Sequence, residues 1–132
     1  MDPKTASLLN QAIRHYHYGD LSLAGQLLKK ILRKQPLNFD ALHILGVIKG
    51  IENDKEEAIR LFKKALLINA GNNFVHFNLA KALSESGRDE ESLPHHAKAT
   101  ELAPDHHEAW LNYGRSQANL GLYEQAIVSY DR

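Results

Sequence analysis

The sequence contains no cysteine, and it has only one methionine and one tryptophan among its 132 residues. Without cysteine, the chain can form neither disulfide bonds nor thiolate-ligated metal sites. It also lacks a net charge, because 16 basic and 16 acidic residues cancel. Domains that bind polyanions usually carry a basic excess or a basic stripe. We therefore expect no nucleic-acid partner.

Long apolar runs and targeting signals are missing as well. No segment approaches the roughly 20 apolar residues that a membrane-spanning helix requires. The start, Met1-Asp2-Pro3-Lys4, lacks the basic and apolar regions of a secretory signal. We expect no membrane span and a cytoplasmic location. The length of 132 residues fits one domain with its own core.

Motifs of catalysis and metal binding are also absent. The sequence has no glycine-rich phosphate loop and no serine in a nucleophile-elbow pattern. Its eight histidines include His15 and His17, whose spacing places them on different faces of a helix. No His-Glu-x-x-His pattern is present. We therefore expect no enzymatic activity, no catalytic residue, no metal site and no cofactor.

What the chain does contain is a pattern that repeats every 34 residues. A fixed period of this length indicates a stacked array of similar units. Within each repeat, a large residue is followed by a small one, a turn-forming one, a second small one and a second large one. In that order the positions hold Leu8, Leu42, His76 and Trp110; Ala12, Gly46, Ala80 and Gly114; Gly19, Asn53, Gly87 and Gly121; Ala24, Ala58, Ser92 and Ala126; and Leu28, Phe62, His96 and Tyr130.

Two stretches with helical spacing of apolar residues lie on either side of each turn-forming residue. Glycine or asparagine suits the turn because the backbone there is expected to adopt a positive φ. Asp20, Asp54 and Asp89 are placed to cap the second helix of their repeats. Each repeat is therefore predicted to be a pair of helices, and the small residues let the two helices approach closely.

The third repeat departs from this pattern at two positions. Pro94 falls inside the predicted second helix and is expected to disturb its first turn or two. His96 stands where two of the other repeats have an aromatic residue. We expect this repeat to pack less tightly than the others.

At 34-residue spacing, Gly-x-x-x-x-Ala followed by an aromatic residue, alanine and proline resembles the tetratricopeptide repeat. The fourth repeat carries the fullest form, with Trp110, Gly114, Gly121, Ala126 and Tyr130. The resemblance covers residues 5–132. It implies an all-α fold, a right-handed superhelical solenoid of antiparallel helix pairs. The expected arrangement is a single domain over residues 1–132, with repeats at 5–38, 39–72, 73–106 and 107–132, the last incomplete.

Arrays of this family usually bind a peptide or a partner protein along the concave surface that the first helix of each pair lines. By this resemblance, the expected groove residues are Leu9, Ile13, Tyr16, His43, Val47, Phe74, Phe77, Asn78, Lys81, Leu111, Asn112 and Arg115. Lys81 and Arg115 are equivalent positions one repeat apart, and they suit a peptide with an apolar stretch and an acidic residue. Alternatively, Phe74, Phe77 and Leu111 pack between helices, and the two cations are ordinary solvated side chains.

Two further hypotheses concern the whole protein. Asn10, Asn78 and Asn112 share one register and resemble the asparagine ladder of O-linked N-acetylglucosamine transferases. The chain would then be the amino-terminal targeting region of a larger enzyme such as a glycosyltransferase. The other hypothesis is a self-assembling scaffold. No polar capping helix follows Ile127 and Tyr130, so we expect either a fragment or a homo-oligomer formed through this end.

Overall fold

The computed structural model describes residues 2–132, and within this range the chain forms helices and turns but no strand. The helices are α1 (Pro3–His17), α2 (Leu21–Lys34), α3 (Phe39–Ile51), α4 (Lys55–Ile68), α5 (Asn73–Glu85), α6 (Asp89–Leu102), α7 (His107–Asn119) and α8 (Tyr123–Tyr130). They group into two compact halves. The amino-terminal half is Met1–Ile68, and the carboxy-terminal half is Asn69–Arg132.

The turn inside each helix pair depends on a left-handed residue. Gly19, Asn53, Gly87 and Gly121 have φ angles of 81°, 64°, 77° and 80°. This confirms the prediction of positive φ at the four equivalent positions. Asparagine tolerates the conformation because its side chain is short and polar, and glycine has no side chain to oppose it.

The capping prediction is correct in two of three cases. Asp20 accepts a hydrogen bond from the amide of Leu23 at 3.2 Å, and Asp54 accepts one from the amide of Glu57 at 3.3 Å. The prediction for Asp89 is wrong, because α6 begins at Asp89 itself and Arg88 occupies the capping position without a side-chain bond. Asp20 and Asp54 directly follow their turn residue, whereas Asp89 comes one position later.

Both expectations for the third repeat need correction. Helix α6 runs without a break through Pro94. Pro94 and Glu90 are exposed, so water can bond the Glu90 carbonyl that loses its usual donor. His96 is 1% exposed, so this position is fully packed. Hydrogen bonds to neighbouring serines satisfy a ring nitrogen of this buried histidine.

The two helices of a pair meet where a small residue lies opposite a large one. A Cβ atom at Gly46 would lie 2.6 Å from Cε1 of Phe62, and one at Gly114 would lie 2.7 Å from Cε1 of Tyr130. In both pairs the glycine leaves room for the ring of the aromatic residue opposite. The other two repeats have alanine at the small position and leucine or histidine, both smaller than phenylalanine, at the large one.

Candidate functional site

In the carboxy-terminal half, a cavity of about 240 Å³ is lined by the first helices of its two pairs. Its lining residues are Lys81, Ser84, Glu85, Asn112, Arg115, Ser116 and Asn119. Three of them, Lys81, Asn112 and Arg115, belong to the predicted groove set. They come together because α5 and α7 contact each other and their equivalent residues point the same way.

The polar groups of this cavity are only partly paired. Arg115 Nη1 donates to Asn112 Oδ1 at 3.3 Å. The Nδ2 group of Asn112 is buried, and it has no hydrogen-bond partner among the described residues. A buried donor without an acceptor costs about 1–3 kcal/mol. Rotation of the Asn112 side chain toward the cavity would let the carbonyl oxygen of a ligand remove this cost. Lys81 and Arg115 are themselves exposed and can meet a carboxylate.

Beneath the cavity lies a buried polar cluster that the sequence did not reveal. Ser84 Oγ lies 2.7 Å from Ser116 Oγ, and His96 Nε2 lies 3.0 Å and 3.1 Å from these two hydroxyls. Ser92 Oγ lies 3.4 Å from Ser116 Oγ and donates its proton to the carbonyl oxygen of Asp89 at 2.6 Å. The only signal in the sequence was His96 in place of an aromatic residue, with Ser92 at a position that is otherwise alanine.

Burial lowers the pKa of His96 to about 4, with a smaller lowering from His95 and an opposing effect from Asp89. His96 is therefore neutral at neutral pH, and its ring also stacks on Tyr113 with centroids 5.8 Å apart. The positive charge at the cavity consequently comes from Lys81 and Arg115 alone.

The remaining predicted groove residues of this half are spread over its surface. Phe74 and Leu111 are 56% and 46% exposed, which leaves their side chains available for contact. Phe77 is half-buried, with its ring centroid 4.5 Å from that of His106. Asn78 is half-buried as well. Leu111 lines a different cavity, one of about 430 Å³ that it shares with Trp110.

In the amino-terminal half, the expectation for Leu9 must be corrected. Leu9 is 8% exposed and belongs to the core, so it offers little surface to a ligand. Ile13, Tyr16 and Val47 are half-buried. His43 is half-buried between two rings, 6.0 Å from Phe39 and 6.2 Å from Phe62, measured between centroids.

The surroundings of His43 and of three asparagines determine what each can contribute to a ligand. Burial lowers the pKa of His43, and Asp40 opposes this effect. His43 is therefore a neutral packing residue at neutral pH. Asn10 is exposed, whereas Asn78 and Asn112 are half-buried.

Residues 2–132 lack two features that other classes of site require. No three histidine, aspartate or glutamate side chains in this range converge to hold a metal ion. In the same range, none of the helices has both the length and the apolar character needed to cross a bilayer.

Models of the tetratricopeptide repeat match residues 39–72 and 76–132. The chain belongs to the tetratricopeptide repeat family. The structure of MamA superposes with a TM-score of 0.90 at 20% identity, over 96% of this chain and 74% of that one. YrrB, described as a TPR protein with an unusual peptide-binding site, gives a TM-score of 0.88 at 24% identity, over 92% of this chain and 63% of that one. These likenesses confirm the predicted all-α tetratricopeptide fold.

Curated relatives are much longer proteins. An N-terminal acetyltransferase A complex subunit-like protein of Schizosaccharomyces pombe is 24% identical over 100% of this chain and 19% of its own length. The peroxisomal targeting signal receptor of Candida albicans is 33% identical over 62% of this chain and 14% of its own length. Protein O-mannosyl-transferase TMTC3 of Mus musculus is 34% identical over 58% of this chain and 8% of its own length. The chain thus spans less than a fifth of each of these relatives.

Proposed function

We propose that the α5–α7 surface of this protein-interaction module binds an extended segment of a partner protein that carries an acidic side chain beside apolar ones. The observation that carries this proposal is the convergence of Lys81, Arg115 and the unpaired amide of Asn112 on one cavity. The receptor relative and YrrB support a peptide ligand, because their names specify a targeting signal and a peptide-binding site.

Each group at the cavity has a distinct task in this proposal. Asn112 Nδ2 donates to a backbone carbonyl of the peptide, and Lys81 and Arg115 attract its carboxylate. Leu111 lines the separate cavity that contains Trp110, where its exposed side chain can contact an apolar residue further along the peptide. The cavity volume of about 240 Å³ is below the roughly 300–1,000 Å³ typical of small-molecule sites. It suits one side chain of a peptide better than a small-molecule substrate.

The double variant Lys81→Ala/Arg115→Ala tests this assignment. We expect its affinity for a short fluorescein-labelled peptide of glutamates and leucines, kept extended by interspersed prolines, to fall about tenfold, since two charge contacts are lost. Fluorescence anisotropy measures the affinity, and circular dichroism verifies that helicity and melting are unchanged. Lys30→Ala/Lys34→Ala, which removes the same charge from α2, should bind as the natural chain does. Equal affinity of all three proteins would refute the assignment.

A second candidate function is substrate targeting for a larger glycosyltransferase, with catalysis outside this chain. The unpaired Asn112 amide and the O-mannosyl-transferase relative favour it. Here the amides would grip the backbone of any extended peptide. Asn78→Ala/Asn112→Ala should then weaken acidic, neutral and basic peptides alike, by about tenfold. Loss restricted to acidic peptides would argue against a backbone clamp.

Several expectations stay predictions at this stage. Self-association through the α8 end is supported by Ile127 and Tyr130, which are 60% and 47% exposed. Light scattering over a concentration series would test it. The absence of catalysis by this chain, the absence of a nucleic-acid partner and the cytoplasmic location also remain predictions.

A further inference from the structure

The overall neutrality of the chain hides opposite charges in its two halves. Residues 1–68 hold 11 lysines and arginines against 7 aspartates and glutamates, a net charge of +4. Residues 69–132 hold 5 against 9, a net charge of −4. This excess of positive charge favours acidic ligands over the amino-terminal half as a whole, whereas an acidic ligand of the carboxy-terminal half depends on the local pair Lys81 and Arg115.

This half contains a groove of about 540 Å³ that is lined by α2, α3 and α4. Its apolar lining consists of Leu32, Leu45 and Leu61, one leucine from each helix. Leu45 and Leu61 are 4% and 1% exposed and form the floor, whereas Leu32 is half-buried. The predicted peptide-binding residues do not line this groove, so it is a separate surface.

The acidic groups at the rim already have partners. Asp54 caps α4 through the amide of Glu57 at 3.3 Å. The carboxylate of Glu57 accepts a hydrogen bond from Arg60 Nε at 2.8 Å. Glu57 is therefore paired with Arg60, and the other charged lining residues are the cations Lys29, Arg33 and Lys49 against Asp54 alone.

Two cations on the α2 side of the groove differ from these carboxylates in their pairing. Lys29 and Arg33 both line the groove, and within the described part of the chain neither forms a hydrogen bond or an ion pair. They are four positions apart on one helix face, where like charges repel each other. Leu32 lies next to Arg33 and also lines the groove. Across the groove, Lys49 is held by Glu52 at 3.5 Å.

We propose that this α2–α4 groove binds an acidic amphipathic segment of a partner protein. Apolar side chains of the segment rest on the leucine floor, and its carboxylates pair with Lys29 and Arg33. The groove suits an acidic segment because four cations and two carboxylates line it, and Lys29 and Arg33 form no ion pair within residues 2–132. The groove is distinct from the α5–α7 surface, so one chain holds two different segments.

The test compares two charge-matched variants of the full chain. Lys29→Gln/Arg33→Gln removes the groove cations, and Lys30→Gln/Lys34→Gln removes the neighbouring pair on the same helix, which does not line the groove. The probe is a labelled synthetic helix with leucines at i and i+4 flanked by glutamates. We expect about tenfold weaker binding for the first variant and unchanged binding for the second. A probe with lysine in place of glutamate should not bind the natural chain.

Three outcomes would overturn the proposal. One is equal affinity of the groove variant and the natural chain. Another is an equal loss in both variants, which would indicate attraction to the general charge of α2. The third is salt-sensitive self-association that Lys29→Gln/Arg33→Gln abolishes, because a second copy, with its acidic half, would then be the occupant. Lys81→Ala/Arg115→Ala should bind this probe normally. A failure of the α2–α4 proposal can therefore be distinguished from a failure of the α5–α7 proposal.

Discussion

Lowering the pH from 7 to 4 is expected to reduce the free energy of unfolding of the natural chain by about 3 kcal/mol more than that of the His96→Leu variant. The pKa of His96 is about 4 in the folded protein and 6.5 in the unfolded chain. Between these values the unfolded state binds more protons, so stability falls as the pH drops from about 6.5 to about 4. Above this window the histidine is neutral in both states and adds no pH dependence.

Leucine is a suitable replacement because Leu28 occupies the equivalent position, with alanine at the matching small position in both repeats. Ser84 and Ser116 remain paired with each other at 2.7 Å. Urea unfolding followed by circular dichroism at both pH values gives the measurement. His107→Gln, a change at an exposed histidine, is the control and should keep the acid sensitivity of the natural chain. An unchanged pH dependence in His96→Leu would contradict the burial of a neutral imidazole.

Adding one methyl group at Gly46 is expected to destabilise the protein by about 2 kcal/mol. The new Cβ would lie 2.6 Å from Cε1 of Phe62, whose side chain is 2% exposed and cannot swing away. Overpacking of this kind costs up to about 3 kcal/mol, and the better helix propensity of alanine returns about 1 kcal/mol. Thermal and urea unfolding of Gly46→Ala measure the difference.

Two further variants make this prediction specific. Gly114→Ala meets Tyr130, which is 47% exposed and can rotate into solvent, so its cost should be close to zero. Phe62→Leu alone leaves a cavity. Combined with Gly46→Ala, it gives the second repeat the same small and large residues as the first repeat, alanine and leucine. The double variant should therefore be more stable than Gly46→Ala. Additive losses in this double-mutant cycle would show that the two side chains do not clash.

Much of the local structure could be predicted from the sequence. The positive φ at Gly19, Asn53, Gly87 and Gly121 follows from residue chemistry at one position. The caps at Asp20 and Asp54, and the helix pairs themselves, depend on neighbours a few residues away. The capping prediction failed at Asp89, which follows its turn residue by two positions instead of one. Such features need no knowledge of distant contacts.

The candidate site was predictable only in part. The 34-residue register placed Lys81 and Arg115 at equivalent positions and put Asn112 in the groove set, whereas the shared cavity and the unpaired amide of Asn112 come from the structure. The register also pointed Leu9 toward a ligand, although its side chain is buried. The helical period predicts which face of its helix a residue occupies. Whether a neighbouring helix covers that face depends on packing.

Other properties emerged only when the helices were assembled. Periodicity fixed the all-α repeat fold, because the spacing of large and small residues admits few other ways to bury apolar surface. The buried state of His96 and the groove lined by Leu32, Leu45 and Leu61 combine residues from different helices. Their burial, their pairing and the lowered pKa of His96 arise from contacts that no single stretch of chain contains, since dielectric environment and solvent access are properties of the packed molecule.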